Sequence, residues 1–476
     1  MKVEMSKYLF NTKDILKELI SKLSEDYNYV SVLGTDISGK SFSVTRTGID
    51  IGDSHLTERG FVLRVHNGIN YSEFSFNKID NIDSLIENVK NKINGDLERL
   101  KNSNIKISSY PIIEEEKIEK SFHGDVEILP SEVTDREKID RMTNIMNKAL
   151  SSSEHLIDFR VGYNEIHISK VFVSTKKDLE QTYIASEGYL APIVRRDNNT
   201  KYNFEGFSGL KGAEILDEME SGYEQAIETA VNLLDAKKVK PGEYDIICAP
   251  DITGLIAHEA FGHGVEMDMF VKNRAKAVEY LDKAVASDLV VMHDGAKAAK
   301  QVGSHLFDDE GTMGTDTVII DNGILKTGIS DLLSAQRLGT KPTGNGKRES
   351  FERKAYARMT NTFISPGNDD LEDIIASIDK GYLLEGLMSG MEDPKNWGIQ
   401  CMILQGKEII DGKLTGNIIS PVIMTGYVPD LLKSISMISK EEDFKLFGSG
   451  MCGKGHKEWV KNSNGGSYIK ARGRLG

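Results

Sequence analysis

The chain has 476 residues, and its 59 Lys and Arg against 73 Asp and Glu give a formal net charge of −14. With 39% apolar and 28% charged residues, the composition excludes a disordered chain and an integral membrane protein. The negative balance argues against a nucleic-acid or anionic-membrane partner, because such partners are bound through an excess of Lys and Arg. The length is sufficient for two or three domains.

The lack of a recognisable targeting signal and the cysteine usage predict a cytoplasmic protein. Charged residues interrupt the N-terminal segment, so we expect no secretion signal. The sequence contains no window of about 18 uncharged apolar residues, so we expect no membrane-spanning helix. Cys248, Cys401 and Cys452 are odd in number and far apart, unlike a disulfide framework. Cys248 and Cys401 lie in apolar runs and are predicted to be core thiols.

The first half alternates helix-like and strand-like patterns. Apolar residues at three-to-four spacing predict helices over residues 11–27, 82–100, 137–150 and 211–236. Runs of β-formers between glycines predict strands at 29–36, 41–48 and 61–68, and more strands within 171–197. These elements predict an α+β domain over residues 1–238.

The second half is richer in glycine and in short strand-like runs. A charged segment ending in Pro-Gly, residues 237–242, indicates a domain boundary near residue 238. Asp-Asn-Gly and Asp-Gly turns between apolar runs are typical of β-hairpins. We therefore predict a largely antiparallel, β-rich domain over residues 239–476 with an embedded metal-binding helix, and an α+β fold for the whole chain.

The segment 251–270 carries the most informative motif. His258, Glu259 and His263 form an HExxxH pattern that follows helix-like apolar positions, with Asp251 as the expected N-cap. It is similar to the HExxH helix of zinc peptidases with one residue added. In HExxH the two histidines are about 400° apart around the helix, so they project from one face and share a metal.

The longer spacing places a condition on the helix. His258 and His263 are five residues apart, which on a regular α-helix leaves their side chains roughly 140° apart. The helix must therefore bulge or end between them if both are to bind one ion. Gly262 and Gly264 flank His263 and are expected to permit that distortion. Without a third ligand, the histidine pair is equally consistent with a structural role.

A catalytic zinc site usually has three protein ligands and one open position. The candidates for the third ligand are Glu266, Asp268, His293, His305, His456 and Cys452. Cys452 has distinctive surroundings, because four glycines flank it and Lys454 adds a positive charge that favours the thiolate.

Four segments in this order resemble the TldD/PmbA family of zinc peptidases across the whole second half. They are HEAFGHGVE from residue 258, GNGKRES from 344, ARMTNTFISPG from 357 and GSGMCGKG from 448. This family includes a TldD-like subunit, which keeps HExxxH, and a PmbA/TldE-like subunit, which has lost it. The chain keeps the motif and therefore resembles the TldD-like subunit.

The resemblance implies that His258, His263 and Cys452 bind one zinc ion per chain and that Glu259 is the catalytic base. Two neutral imidazoles and one thiolate leave a net charge of +1 on such a site, which lowers the pKa of a water in the fourth position. A thiolate donates more charge than a third histidine, so the metal is a weaker Lewis acid and slow turnover is expected.

The function implied by the resemblance is a metallopeptidase that cleaves unfolded or flexible peptides, bound as an added β-strand. The family also implies a dimer that encloses the site in a chamber, formed by two identical chains or with a PmbA/TldE-like chain. Two alternatives stay open. One is a noncatalytic binding or scaffold subunit whose structural metal gains Glu266 or His456 as a fourth ligand. The other is a metal-dependent hydrolase of a non-peptide amide bond.

Two further polar segments have competing interpretations. Arg358 and Asn361 are placed to contact a peptide carbonyl or carboxylate, or else to tie strand ends together. Asp308, Asp309 and Glu310 are predicted to form a solvated acidic loop rather than a second metal site.

Oxidation of Cys452 provides the first test of the ligand assignment. Because oxidation removes the thiolate, peroxide is expected to release the metal and to abolish peptide cleavage together. The measurement is the zinc released into a chromogenic chelator during peroxide treatment, with residual cleavage followed in the same samples. Loss of cleavage while zinc is fully retained would contradict the assignment.

Overall fold

Three large β-sheets with helices packed on them make up the fold. The structure is a computed structural model and describes residues 1–102, 109–455 and 457–476. The α-helices are α1 Lys7–Leu23, α2 Ile82–Lys101, α3 Asp135–Ser152, α4 Ile215–Asn232, α5 Pro250–Leu255, α6 Met267–Val271, α7 Leu332–Leu338, α8 Leu371–Ala376 and α9 Val428–Lys433. Short 3-10 turns lie at Pro130–Glu132, Leu233–Asp235, His263–Val265, Lys276–Tyr280 and Glu441–Asp443.

The first sheet has nine strands: β1 Val30–Thr45, β2 Gly48–Asp53, β3 Glu58–His66, β4 Tyr71–Phe76, β5 Ile118–His123, β6 Leu156–Ser174, β7 Lys177–Arg196, β8 Asn199–Tyr202 and β9 Glu205–Gly209. Its main path runs β4-β3-β1-β6-β7-β5. Strand β2 pairs with β1, and β8 and β9 pair with β7. All of these pairings are antiparallel except that of β5 with β7.

The helices of the first half are amphipathic and bury their apolar faces in two cores. The apolar face of α1 packs with α2 against strands β1, β3 and β6, whereas α3 and α4 pack against β6 and β7. Ser6 caps α1, and Thr134 with Glu137 forms a capping box on α3. The four predicted helices are confirmed. The two strands predicted at 29–36 and 41–48 are one strand, β1, because unbroken pairing with β6 carries it through Gly39.

The second half contains the remaining sheets. The seven-stranded sheet comprises β10 Gly242–Cys248, β17 Lys380–Asp393, β18 Gly398–Ile410, β19 Lys413–Ile419, β20 Val422–Tyr427, β21 Met437–Ile438 and β24 Ile469–Leu475. The six-stranded sheet comprises β11 Met292–Asp294, β12 Thr317–Asp321, β13 Ile324–Leu325, β16 Asn361–Ile364, β22 Lys445–Phe447 and β23 Ser463–Gly466. Strands β14 Gly346–Lys347 and β15 Tyr356–Ala357 form a separate pair.

The predicted α+β fold is confirmed, and the two hairpin turns have the expected conformation. Asn322 and Gly323 have φ of 45° and 79°, and Asp411 and Gly412 have φ of 48° and 72°, as a tight hairpin turn requires. Two pairings in this half are parallel, β10 with β17 and β16 with β23. The strands of the first sheet end at residue 209, and those of the other sheets begin at residue 242. A domain division at residue 238 stays a prediction.

The acidic segment at 308–310 differs from its prediction. Asp308, Asp309 and Glu310 are only 2%, 7% and 3% exposed, so the prediction of a solvated loop is wrong. Asp309 pairs with Lys170 on β6, and Glu310 pairs with Arg64 on β3. Asp308 accepts hydrogen bonds from backbone N–H groups. The segment lies against the first sheet, and ion pairs with that sheet compensate the buried charges of Asp309 and Glu310.

Cys248 and Cys401 are fully buried in the core of the second half, as predicted. Burial raises the pKa of both thiols, to about 12 for Cys401, so they stay protonated. Within residues 1–102, 109–455 and 457–476, no helix has the length and apolar character needed to cross a membrane.

The Glu73 ion pairs are expected to make stability depend on pH. Glu73 on β4 accepts hydrogen bonds from Arg64 and Arg348, at 2.8 and 3.1 Å. Burial alone raises the pKa of Glu73, but the two guanidinium groups outweigh it and lower the pKa from 4.5 to about 2. A carboxyl group with a lowered pKa stabilises the fold above its unfolded pKa, and this contribution is lost as the pH falls through 4.5 towards 2.

We therefore expect Glu73→Gln to lower the free energy of unfolding by about 2–4 kcal/mol at pH 7. The difference from wild type should shrink by pH 3, where the wild-type contribution is itself partly lost. Urea unfolding at both pH values measures this, with the exposed Glu98→Gln on α2 as a control. An equal difference at both pH values would contradict the assignment.

Candidate metal centre

The HExxxH segment begins where strand β10 leaves its sheet. Helix α5 starts at Pro250, directly after β10, with Ala249 as its N-cap. The predicted N-cap role of Asp251 is wrong, because its carboxylate lies in the first turn and accepts the backbone N–H groups of Gly386 and Leu387 at 2.8 and 2.7 Å. Asp251 therefore fixes the start of this helix to strand β17.

The helix changes its winding at the motif. After α5 it continues as a π-helix over Ile256–Gly262, and the N–H of His263 donates to the carbonyl of His258. This five-residue hydrogen bond is the repeat of a π-helix. It brings the two imidazoles together, with ring centroids 5.2 Å apart. Of the two predicted possibilities, a bulge or a helix end between the histidines, the structure has the bulge, in the form of a π turn.

The glycines beside His263 serve a different purpose from the expected one. Gly262 has φ −58° and ψ −50°, which any residue can adopt, so backbone freedom does not explain it. A Cβ at Gly262 would lie 2.2 Å from the sulfur of Met359. A Cβ at Gly264 would lie 2.8 Å from an oxygen of Glu392. These glycines allow close packing of the π turn against its neighbours.

Cys452 reaches the histidines from a loop near the C-terminus. Its backbone pairs with Val460 through two hydrogen bonds of 3.0 Å, which hold the loop closed. Lys461 in the same loop pairs with Glu187 on β7, and the N–H of Gly448 donates to Ser208 on β9 at 2.8 Å. The first sheet therefore helps to position a residue of the site.

His258, His263 and Cys452 form one compact cluster. The Sγ of Cys452 lies 3.1 Å from Nε2 of His258 and 3.2 Å from Nε2 of His263. The three ligand atoms all lie within 4.8 Å of one another. Burial raises the pKa of the Cys452 thiol, but the two imidazoles outweigh burial and bring the pKa down to about 4. The lowered pKa favours the thiolate, which is the form that binds metal.

This donor set fits a zinc ion. Zinc in proteins is bound by imidazole nitrogen and thiolate sulfur, and donors around a tetrahedral zinc lie about 3.5 Å apart. The separations at Cys452 are close to that spacing. A zinc ion held by these three residues would keep one position for a further ligand.

Glu259 lies beside the cluster and keeps some exposure. Its Oε1 is 3.9 Å from Nε2 of His258, and its Oε2 is 3.9 Å from Nε2 of His263. Its side chain is 21% exposed. Burial raises the pKa of Glu259, and the two imidazoles oppose that rise. Gly390 on β17 packs against this side chain, since a Cβ there would lie 2.7 Å from its Cγ.

Glu266, a candidate ligand from the sequence, contacts His263 and two buried cations instead. Its Oε2 lies 3.5 Å from Nδ1 of His263 and 2.9 Å from Nζ of Lys454, and its Oε1 accepts from Arg358 at 3.1 Å. Burial raises the pKa of Glu266, but Lys454, His263 and Arg358 lower it well below its usual range. The carboxylate is fully engaged away from the cluster of ligand atoms.

Arg358 contacts Cys452 directly. Its Nη2 donates to the sulfur of Cys452 at 3.0 Å and to the carbonyl of Cys452 at 2.9 Å. Arg358 is 1% exposed, so it does not bind a peptide carboxylate as one interpretation held. Asn361 ties strands together, as the other held, because its side-chain amide donates to Gly295 and its oxygen accepts from Ser463.

The sequence pattern did not predict the contacts of Arg358 and Glu266 with Cys452 and His263. The available signal was the position of charged residues beside the ligands, Glu266 three residues after His263 and Lys454 two residues after Cys452. Lys454, expected to favour the thiolate through its charge, pairs with Glu266 and Asp268.

The remaining candidate ligands are used elsewhere. Asp268 pairs with Lys272 and Lys454. His293 contacts Asp316 at 2.7 Å and stacks on Phe363. His305 contacts the carbonyl of Gly344 at 3.0 Å. His456 lies outside the described residues.

Comparison with known proteins identifies the family. Residues 241–469 match the family model described as the PmbA/TldA metallopeptidase C-terminal domain. A metalloprotease of Methanocaldococcus jannaschii is 30% identical over 348 residues, which is 72% of this chain and 74% of that protein. A zinc metalloprotease TldD homolog of Saccharolobus solfataricus is 28% identical over 432 residues, 88% of this chain and 90% of that protein.

A solved structure shares the fold of this chain. The crystal structure of TldE from Thermococcus kodakarensis superposes with a TM-score of 0.73 over 96% of this chain and 99% of that one, at 18% identity. The β-rich second half and its His–His–Cys cluster are thus found in a chain whose relatives are named metalloproteases. The chain belongs to the PmbA/TldD metallopeptidase family.

The contacts of Glu266 predict a specific effect on metal binding. Glu266→Gln keeps the size of the side chain but removes the negative charge that faces Nδ1 of His263. The zinc affinity is therefore expected to fall about 10- to 100-fold. Competition with a fluorescent zinc chelator measures this, with the exposed Glu228→Gln on α4 as a matched control. Unchanged affinity in Glu266→Gln would mean that the carboxylate does not orient the ligand.

Proposed function

We propose that this chain is the TldD-like, catalytic subunit of a zinc peptidase that cleaves unfolded or flexible peptides. The observation that carries the proposal is the position of Glu259, whose two oxygens each lie 3.9 Å from one imidazole of the pair. A carboxylate in contact distance of a metal site is placed to move a proton during hydrolysis. The intact HExxxH sequence supports the TldD-like assignment over the PmbA/TldE-like one.

In this proposal His258, His263 and Cys452 hold one zinc ion per chain. Zinc at this position supplies a Lewis acid that polarises a peptide carbonyl and lowers the pKa of water. Glu259 takes the proton of the attacking water on a carboxylate oxygen and returns it to the departing amine nitrogen. Glu266 faces Nδ1 of His263 at 3.5 Å, which favours a proton on that nitrogen and leaves Nε2 free to bind metal.

The engagement of Glu266 favours the peptidase over a scaffold subunit with a structural metal. A structural zinc site is closed by four protein ligands. Glu266, one of the two candidates for that fourth ligand, is held by Arg358 and Lys454. Hydrolysis of a non-peptide amide would use the same residues. Assays with peptide and non-peptide amide substrates therefore distinguish a peptidase from a hydrolase of other amides.

We further propose that the protein works in the cytoplasm as a dimer, of two identical chains or with a PmbA/TldE-like chain. The support is the match to TldE over nearly the whole length of both chains. A chamber enclosed by two such subunits would admit flexible peptides and exclude folded proteins. Neither a nucleic acid nor a membrane is proposed as a partner.

The central experiment separates metal binding from proton transfer. Glu259→Gln is expected to keep about one zinc per chain, because Glu259 is not a ligand in this proposal, and to lower the cleavage of an unfolded peptide by about 100- to 10,000-fold. His263→Ala and Cys452→Ala are expected to lose zinc and cleavage together. The measurements are zinc per chain by atomic spectroscopy and peptide cleavage by mass spectrometry on the same samples.

Glu372→Gln serves as the matched control, since this carboxylate is exposed on α8. It should retain both zinc and cleavage. If Glu259→Gln cleaves at the wild-type rate, the base is another group. If Cys452→Ala retains zinc, the ligand set is wrong and a scaffold role is favoured.

A further inference from the structure

The Arg358 guanidinium is placed to act on the electronic properties of the site as well as on its shape. Arg358 follows strand β15 and is almost fully buried. Its Nε donates to Glu266, its Nη1 to the carbonyl of Glu458, and its Nη2 to both the carbonyl and the sulfur of Cys452. Four of its five N–H groups therefore have partners around the site.

Backbone anchoring alone does not account for this arrangement. The contacts with the carbonyls of Cys452 and Glu458 anchor the backbone of the loop. The additional N–H of Nη2 points at the sulfur at 3.0 Å. A charged donor in a buried site interacts more strongly than it does in water. The sulfur therefore shares its charge with Arg358.

The same guanidinium also touches the support of the second ligand. Arg358 and Glu266 form a buried ion pair at 3.1 Å, and the other oxygen of Glu266 faces Nδ1 of His263 at 3.5 Å. A carboxylate that accepts from Nδ1–H makes Nε2 a stronger donor to metal. A guanidinium that donates to a thiolate makes the sulfur a weaker donor. The pair therefore adjusts two ligands in opposite directions.

We propose that Arg358 is a positioning residue that withdraws charge from the Cys452 thiolate, so that a zinc ion with a thiolate ligand remains a strong Lewis acid. This inference rests on the zinc site of the proposed function. A thiolate ligand by itself weakens the metal as a Lewis acid. The hydrogen bond from Arg358 offsets this effect, so that a site with a thiolate ligand can still support hydrolysis. The chemistry assigned to Arg358 is a hydrogen bond to sulfur, with no contact to the substrate.

The test uses the full-length protein loaded with Co²⁺ in place of zinc, because a cobalt–thiolate bond has a charge-transfer absorption band. Loss of the hydrogen bond raises the energy of the sulfur electrons. In Arg358→Gln the charge-transfer band should therefore move to longer wavelength, while the visible d–d bands, which report the coordination geometry, stay in place. Arg358→Lys, which keeps the charge with fewer donors, should give an intermediate shift.

Kinetics with the zinc-loaded protein provide the second measurement. Removal of a residue that supports a metal ligand lowers activity by about 10- to 100-fold. We expect this loss in kcat for an unfolded peptide, with KM nearly unchanged, because Arg358 does not contact the substrate. The exposed Arg136→Gln on α3 is the matched control and should alter neither the spectrum nor the kinetics.

The outcomes separate this inference from the proposed function. A charge-transfer band that does not move overturns the electronic role of Arg358. A charge-transfer band that moves together with the d–d bands also overturns it, because the coordination geometry has then changed. If Arg358→Gln does not fold, Arg358→Lys carries the same comparison. If wild type binds cobalt with a thiolate band and cleaves no peptide, the peptidase proposal fails while the spectroscopic test of Arg358 still stands.

Discussion

The five-residue spacing of His258 and His263 is the constraint on which the site depends. A regular α-helix would direct the two imidazoles roughly 140° apart. The chain meets the constraint with a π turn, whose hydrogen bond from His263 to His258 has the same five-residue repeat as the motif. A π turn is wider than an α turn, and glycines at 262 and 264 let this one pack against Met359 and Glu392.

A buried network of charges holds Cys452 beside that turn. Cys452 lies almost 200 residues beyond the histidines, and its loop is held at the site by Arg358. Glu266 is shared between Arg358, Lys454 and His263, so one carboxylate contacts both the helix and the loop. Breaking such a network exposes uncompensated charge in a buried place, which costs several kcal/mol. Its members are therefore expected to act together rather than one by one.

Sequence patterns were most reliable where local physics decides the structure. The amphipathic helices α1 to α4 and the hairpin turns at Asn322 and Asp411 form as predicted, because periodicity and turn chemistry act over a few residues. The predictions that failed depended on distant partners. Asp308 to Glu310 have the composition of a solvated loop and yet are buried, since Lys170 and Arg64 on the first sheet neutralise two of them. Asp251 similarly binds strand β17 instead of capping its helix.

For the site, the sequence by itself determined the motif, the need for a distorted helix and the thiol among glycines as a candidate ligand, because these depend on spacing and residue type. Only the tertiary structure decided that Cys452, rather than Glu266 or His293, joins the two imidazoles. It also decided that Glu266 contacts His263 and that Arg358 contacts both Glu266 and Cys452. Residue spacing predicts which side chains share a helix face, whereas contacts between segments a hundred residues apart depend on how the sheets pack.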